Sequence, residues 1–134
     1  DSAKFATPGV NIGLFCSTPM VALSRNVSKK EAMKMLLTGD WVNAQEAKRI
    51  SLINDHFPED RLKEAVNDIA SKISAKSQIA VKIGKQAFYN QYEMSLSDAY
   101  VFTSKVMTEN SLKNDAREGI SAFLNKRHPN WSDN

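Results

Sequence analysis

Residues whose types and spacing could do chemistry are sparse in this 134-residue chain. Its two histidines, His56 and His128, have no cysteine, histidine or acid at ligand spacing, so neither starts a metal site and both read as surface residues. Cys16 could act as a nucleophile only with a base beside it, and the sequence locates none, which leaves a small buried thiol as the simpler reading. Gly9 and Gly13 are followed by neither a GK[ST] nor a GxGxxG pattern, so they do not form a phosphate loop. Glu59 and Asp60 are adjacent carboxylates, but they stand at a helix entrance, where the positive end of the helix dipole already accounts for them.

Two stretches keep a chemical reading open. The first is KFATPGVNIGLFCSTP, Lys4 to Pro19, within a run from Phe5 through Ser24 that has no charged residue. Such a run is a membrane span, a buried loop, or the wall of a site from which charge is excluded. A spanning helix needs about 20 predominantly apolar residues. This run is broken by Pro8, Gly9, Asn11, Gly13, Ser17, Thr18 and Pro19, so no membrane span is expected. Pro8-Gly9 by itself fits a turn, with proline setting the first corner and glycine supplying positive φ at the second. The second stretch is FLNKRH, Phe123 to His128. Its cations can face the free carbonyls of a helix end; alternatively, Phe123 and Lys126 form an anion site, one offering a flat face and the other a point charge.

The elements that position these residues are mostly helical. Ser28-Lys-Lys-Glu31 has capping-box spacing and predicts a helix start, with Ala32, Met35 and Leu36 on one side and Gly39 placed to end it. Asn43-Ala-Gln-Glu46 predicts a short helix to about Ile50, and Ser51 to Phe57 reads as a brief extended piece. Pro58 opens a helix that carries Leu62, Val66, Ile69 and Ile73 at helical spacing. After a break at Ser74 to Ser77, Ile79, Ile83, Ala87 and Phe88 indicate another. Ser95 to Asp98 begins one through Phe102 and Val106, and Asn114 begins a last one that Pro129 stops. Only the first two dozen residues read as extended or irregular, an asymmetry that suits the end of a larger α/β domain better than a complete helical bundle.

The bulk numbers fit this picture. A hydrophobic content of 42% supports one ordinary core, and nothing in the sequence marks an internal domain boundary. The net charge of +3 is a small excess of scattered cations without an aromatic platform or recognition motif, so nucleic acid is not an expected partner. The opening DSAKFATP lacks the basic start and apolar run of a secretory signal, and a single cysteine cannot make an internal disulfide, so a reducing compartment is expected.

Three segments resemble the enoyl-CoA hydratase/isomerase, or crotonase, superfamily over essentially the whole chain. They are SAKFATPGVNIGLFCSTPMVALSR; AMKMLLTGDWVNAQEAKRISLIND, similar to the family's M-L-T-G-x-x-x-x-A-x-E-A-x-x-x-G-L-[IV]; and REGISAFLNKRHPNW, similar to R-E-G-x-x-A-F-x-x-K-R-x-P-x-W. The last two are specific in combination, and the first belongs to a subgroup. The resemblance implies the carboxy-terminal part of an α/β crotonase (ClpP-like) spiral fold, here mainly α-helical with a short extended amino-terminal segment. Residues 1–27 would end the spiral core and wall the substrate pocket. Residues 28–134 would form a helical region that contacts coenzyme A and assembles as a homotrimer or a hexamer made of two trimers.

The chemistry so implied adds water across the double bond of an enoyl-coenzyme A thioester. Two backbone N–H groups hold the thioester oxygen, and two glutamates position water and move protons. In such hydratases both oxyanion donors and the first glutamate lie upstream of the residue matching Asp1. The second glutamate follows a proline matching Pro8, and here that position is Gly9. No catalytic residue therefore carries over, and the two-carboxylate mechanism does not transfer. The altered stretch after Gly9, LFCSTPMVALSR, implies a reshaped acyl pocket, with Pro8, Gly9 and Leu14 as pocket residues; Ser51 replaces the family's glycine in a turn. Phe123 and Lys126 match the aromatic and lysine that meet the adenine and phosphates of coenzyme A. The expected ligand is thus an acyl-CoA thioester, as substrate rather than resident cofactor, in fatty-acid or acyl-CoA metabolism. A catalytically inactive acyl-CoA-binding or regulatory protein and a helical oligomerisation module are the alternatives. The compartment would be the cytoplasm in a bacterium and the mitochondrial matrix in a eukaryote.

Overall fold

The computed structural model describes residues 1–132. Contacts divide the chain into two compact units, Asp1–Asn67 and Asp68–Asn134. The sequence reading expected one unit without a boundary. The division falls inside a continuous helix, α4 (Glu59–Ser74), so no linker composition announces it.

In the first unit, two-residue strands β1 (Lys4–Phe5) and β2 (Val42–Asn43) pair antiparallel, with Lys4 opposite Asn43 and Phe5 opposite Val42. Between them come a 3-10 helix over Pro8–Ile12, then α1 (Ser17–Asn26) and α2 (Lys29–Thr38). Helix α1 corrects the expectation of an irregular amino-terminal segment. Pro19 stands third in the helix, within the first turn, where backbone N–H groups have no intrahelical partner and proline costs little.

Helix α2 begins where the capping box placed it: the Ser28 hydroxyl accepts the Glu31 N–H at 3.3 Å, and Gly39 ends the helix at φ +65°. In α3 (Ala44–Arg49), Asn43 Oδ1 accepts the Glu46 N–H at 2.8 Å. The core of this unit is Leu23, Val27, Ala32, Met35, Leu36 and Ile50, with Phe5, Cys16 and Met20 packed against it. Burying one such large side chain is worth about 1.5–3 kcal/mol. Cys16 is half-buried at the edge of this core rather than enclosed within it.

Ser51 to Phe57 is not extended. Residues 51–54 form a turn and bends and no strand is formed through Phe57, and Ser51 takes φ +65°, because the Ile50 N–H still reaches back to the Glu46 carbonyl and the chain must reverse immediately afterwards. Pro58 accepts the N–H groups of Arg61 and Leu62 at the start of α4, as expected of a helix entrance. Leu62, Val66, Ile69 and Ile73 remain about half exposed along α4, and none of its residues is buried.

In the second unit, α5 (Gln78–Gln91), α6 (Leu96–Ser111) and α7 (Asn114–Leu124) pack pairwise. Ser77 and Ser95 cap the first two, accepting the N–H groups of Ala80 and Asp98, each at 3.2 Å. The most buried apolar positions are the alanines Ala87 and Ala122, whose small side chains let helix backbones approach closely.

Candidate functional site

Pro8, Gly9 and Leu14 occupy one turn of the first unit. Pro8 opens the 3-10 helix, and Gly13, at φ +76°, ends it by donating its N–H to Val10 O at 3.3 Å. The chain then folds back over Gly9. Leu14 N–H donates to Gly9 O at 2.9 Å, and Gly9 N–H donates to Cys16 Sγ at 3.3 Å.

A Cβ at residue 9 would lie 2.6 Å from the Leu14 carbonyl oxygen and 2.8 Å from Cys16 Sγ, closer than side-chain carbons come to such atoms. Gly9 is not among the residues with positive φ, so the turn expected from Pro8-Gly9 is corrected in its cause. Glycine is present because the returning chain leaves no room, not because the backbone is left-handed. Beneath the turn, Gly39 leaves space for the Asn11 side chain and the Pro8 Cα, both within 3.2 Å of where its own Cβ would lie. The neighbouring Thr7 hydroxyl is buried without a hydrogen-bond partner. Outward, Ile12 is 77% and Leu14 63% exposed.

Phe123 and Lys126 lie in the second unit, at the end of α7. Their presentation rests on a clamp. Glu118 accepts Arg127 Nη1 at 2.5 Å, Arg127 Nη2 at 2.8 Å and the Asn130 N–H at 2.8 Å. These donors, Arg127 first, hold the Glu118 carboxyl down at about 2, and the Glu118 carboxylate in turn raises the Arg127 guanidinium. Buried Asp115 accepts both the N–H and the hydroxyl of Ser132, at 2.8 and 2.9 Å.

Trp131 lies over Gly119 and donates its indole N–H to Ala75 O at 2.9 Å. The segment after the helix is thus strapped to α7, and Lys126 takes φ +52° as the chain turns. Phe123 is 83% exposed, and Lys126, also exposed, makes no ion pair among the described residues. The Arg127 guanidinium is thus committed to Glu118, whereas Lys126 makes no ion pair among the described residues.

Sequence reasoning did not single out Cys16, Glu118 or Trp131 as the residues that shape these sites. The REG…KR…W pattern contained the last two, but only their contacts reveal the strap. Two clefts touch none of the expected site residues. One of about 670 Å³ lies in the second unit and includes Ile83, Phe102, Val106 and Lys113. The other, of about 440 Å³, lies in the first and includes Met35, Trp41 and Asp40. Among the described residues no group of three or more histidines, cysteines and acids could hold a metal, and no helix is long and apolar enough to cross a membrane. His56 is half-buried and bonds Asp1 Oδ1 through Nδ1 at 2.6 Å, so it is less open than a plain surface histidine.

A family model described as Enoyl-CoA hydratase/isomerase matches residues 1–134. The chain belongs to the enoyl-CoA hydratase/isomerase family. It is 50% identical over 132 residues to the rat mitochondrial enoyl-CoA hydratase domain-containing protein 3, a match that covers 98% of the chain and 44% of that relative. Among solved structures, an enoyl-CoA hydratase from Mycobacterium smegmatis matches with a TM-score of 0.93 at 46% identity, covering 97% of the chain and 51% of its own. The human enoyl-coenzyme A hydratase domain-containing protein 3 matches at 0.90 and 49% identity, covering 96% and 51%.

The fold is thus the crotonase fold over the carboxy-terminal half of these relatives, as the motifs implied. The chain spans about half the length of the curated relatives it matches. Within the enoyl-CoA hydratase/isomerase family, then, the chain pairs a closed turn at Gly9 with an exposed Phe123 and Lys126.

Proposed function

We propose that the chain is the coenzyme A-gripping, pocket-walling half of an acyl-CoA protein of the hydratase/isomerase type. The observation that carries this is the uncommitted pair at the end of α7: an aromatic face on Phe123 and a free cation on Lys126, held by the Glu118–Arg127 clamp. A phosphorylated nucleotide needs both an apolar face and a positive charge, whereas a helix end needs only the charge.

In this reading residues 28–134 meet coenzyme A and assemble as trimers or pairs of trimers, and residues 1–27 wall the acyl pocket through Pro8, Gly9 and Leu14. The reaction class places hydroxyl on the β carbon of an enoyl thioester and a proton on the α carbon, with charge passing through the thioester enolate. The oxyanion donors and the first acid would come from sequence outside residues 1–134. The work would belong to fatty-acid or acyl-CoA metabolism, in the mitochondrial matrix for a eukaryotic protein or the cytoplasm for a bacterial one. The test is titration of full-length protein with coenzyme A, followed by an assay of hydration and isomerisation of short to long enoyl-CoA. Absence of coenzyme A binding would sink the reading.

One observation favours a second reading, an acyl-CoA-binding protein without turnover. A Cβ at residue 9 would meet the Leu14 carbonyl at 2.6 Å and the Cys16 sulfur at 2.8 Å, so a second acid there would require the turn to move. Binding of acyl-CoA with no turnover of any enoyl-CoA decides for it. A third reading, an oligomerisation module, is favoured by the half-exposed stripe on α4; a monomer by size-exclusion chromatography counts against it.

A further inference from the structure

We propose that the cleft of about 440 Å³ in the first unit binds a guanidinium group, with the Trp41 indole as the face it stacks on and the Asp40 carboxylate as its counter-ion. The inference does not depend on the acyl-CoA reading above.

Three features carry it. The first is an imbalance of charge. Glu31, Lys34, Asp40 and Glu46 all line the cleft. Arg49 donates Nε and Nη2 to Glu46, each at 2.6 Å, and Nη2 also to Glu31 at 2.9 Å. The Arg49 bond first, and the Lys34 charge in smaller part, hold the Glu46 carboxyl below its ordinary value. Two cations thus answer two of the three carboxylates. The third, Asp40, has no ion pair and no side-chain hydrogen bond among the described residues.

The second feature is the open aromatic. Trp41 is 68% exposed, and its ring meets no other aromatic ring among the described residues. The third is fixed placement. Gly39 ends α2 at φ +65°, the Thr38 hydroxyl accepts the Asp40 N–H at 3.2 Å, and Val42 pairs with Phe5, so residues 40 and 41 are held on both sides.

An unanswered carboxylate and an aromatic face in one cleft select a cation. A guanidinium is flat, weakly hydrated and forked, so it can stack on the indole while it bonds the carboxylate. An ammonium, a compact and strongly hydrated charge, keeps its water at so open a site. The cleft volume suits a small group or a single side chain, since pockets for whole drug-sized molecules run to about 300–1,000 Å³.

The experiment uses full-length protein labelled with fluorotryptophan and read by fluorine NMR, the Trp41 resonance being assigned with Trp41→Phe. Methylguanidinium, butylammonium and potassium chloride are titrated at constant ionic strength. A saturable shift of Trp41 with methylguanidinium alone is expected. A capped Leu-Arg-Leu peptide separates the sources: tighter binding than methylguanidinium assigns the group to a partner polypeptide, equal binding to a free small molecule, and both support the site.

Asp40→Asn should weaken binding by about fivefold, the upper range for an exposed ion pair. Lys34→Ala should tighten it by removing a like charge. Both side chains are exposed, so the fold should tolerate either change. Absence of a saturable shift overturns the proposal, as does an equal shift with butylammonium or potassium chloride, or an Asp40→Asn protein that binds as wild type does.

Discussion

Arg127 holds Glu118 with both terminal nitrogens, at 2.5 and 2.8 Å, across nine residues of chain. The same carboxylate receives the Asn130 N–H, so one side chain ties the segment after α7 to the helix. Glu118 titrates at about 2 here against an ordinary 4.5. Its folded value is depressed, so its contribution is fully present above pH 4.5 and is lost as pH falls toward 2. Trp131 fluorescence, read in a Trp41→Phe background, should report release of the strap over that window. Glu118→Gln should release it at neutral pH; an acid transition unchanged by this substitution would refute the clamp.

Gly119 faces the Trp131 ring, and an added Cβ would stand 3.3 Å from it. Gly119→Ala should therefore shift the indole by a few tenths of an ångström and weaken its bond to Ala75, a cost that offsets the roughly 1 kcal/mol alanine gains over glycine inside a helix. A red-shifted Trp131 emission without the full stability gain of a helical glycine-to-alanine change is the expected result, read by fluorescence and thermal melting.

Ser51 sits at φ +65°, a conformation that costs a side-chain-bearing residue about 1–2 kcal/mol, whereas glycine's extra chain entropy costs about 0.5–1. Ser51→Gly should leave stability unchanged or raise it by up to about 1 kcal/mol. Gly39→Ala, also at φ +65° and crowded by Asn11 and Pro8, should lower it. Urea denaturation of the two variants checks the opposed signs.

Loss of the Phe123 ring should weaken coenzyme A binding by about 1–3 kcal/mol, the range for an aromatic face stacked on a base. Lys126→Ala should weaken it less, by about 1 kcal/mol, and should reduce the salt dependence of affinity, since an exposed charge acts through a screened field. Titrations at two ionic strengths separate these roles; equal salt dependence in wild type and Lys126→Ala would deny the lysine a phosphate contact.

Leu36, 2% exposed, fills the centre of the first unit. Leu36→Ala should cost about 2–5 kcal/mol, and thermal melting followed by circular dichroism measures it.

The sequence by itself determined whatever depends on near neighbours in the chain. Ser28, Asn43 and Ser95 cap the helices their spacing announced, and Gly39 ends one, because a cap reaches only three or four residues. The three segments that resemble the family, the one holding Phe123 and Lys126 among them, were legible because each is contiguous in the chain. Helix α1 was missed because proline was read as a breaker, when at the third helical position it removes an N–H that has no partner anyway.

Only the tertiary structure decided what depends on atoms brought together from a distance. It paired Lys4–Phe5 with Val42–Asn43 and laid Trp131 over Gly119. It paired Arg127 with Glu118 and left Lys126 without an ion pair among the described residues. It also changed the meaning of Gly9 from a flexible corner to a filled space, occupied by the Leu14 carbonyl and the Cys16 sulfur. Residue types and periodicity encode local backbone preference and which side of a helix is apolar. They do not encode the few tenths of an ångström between a glycine and the chain folding back over it, a margin that decides whether the turn can carry a side chain at residue 9 without moving.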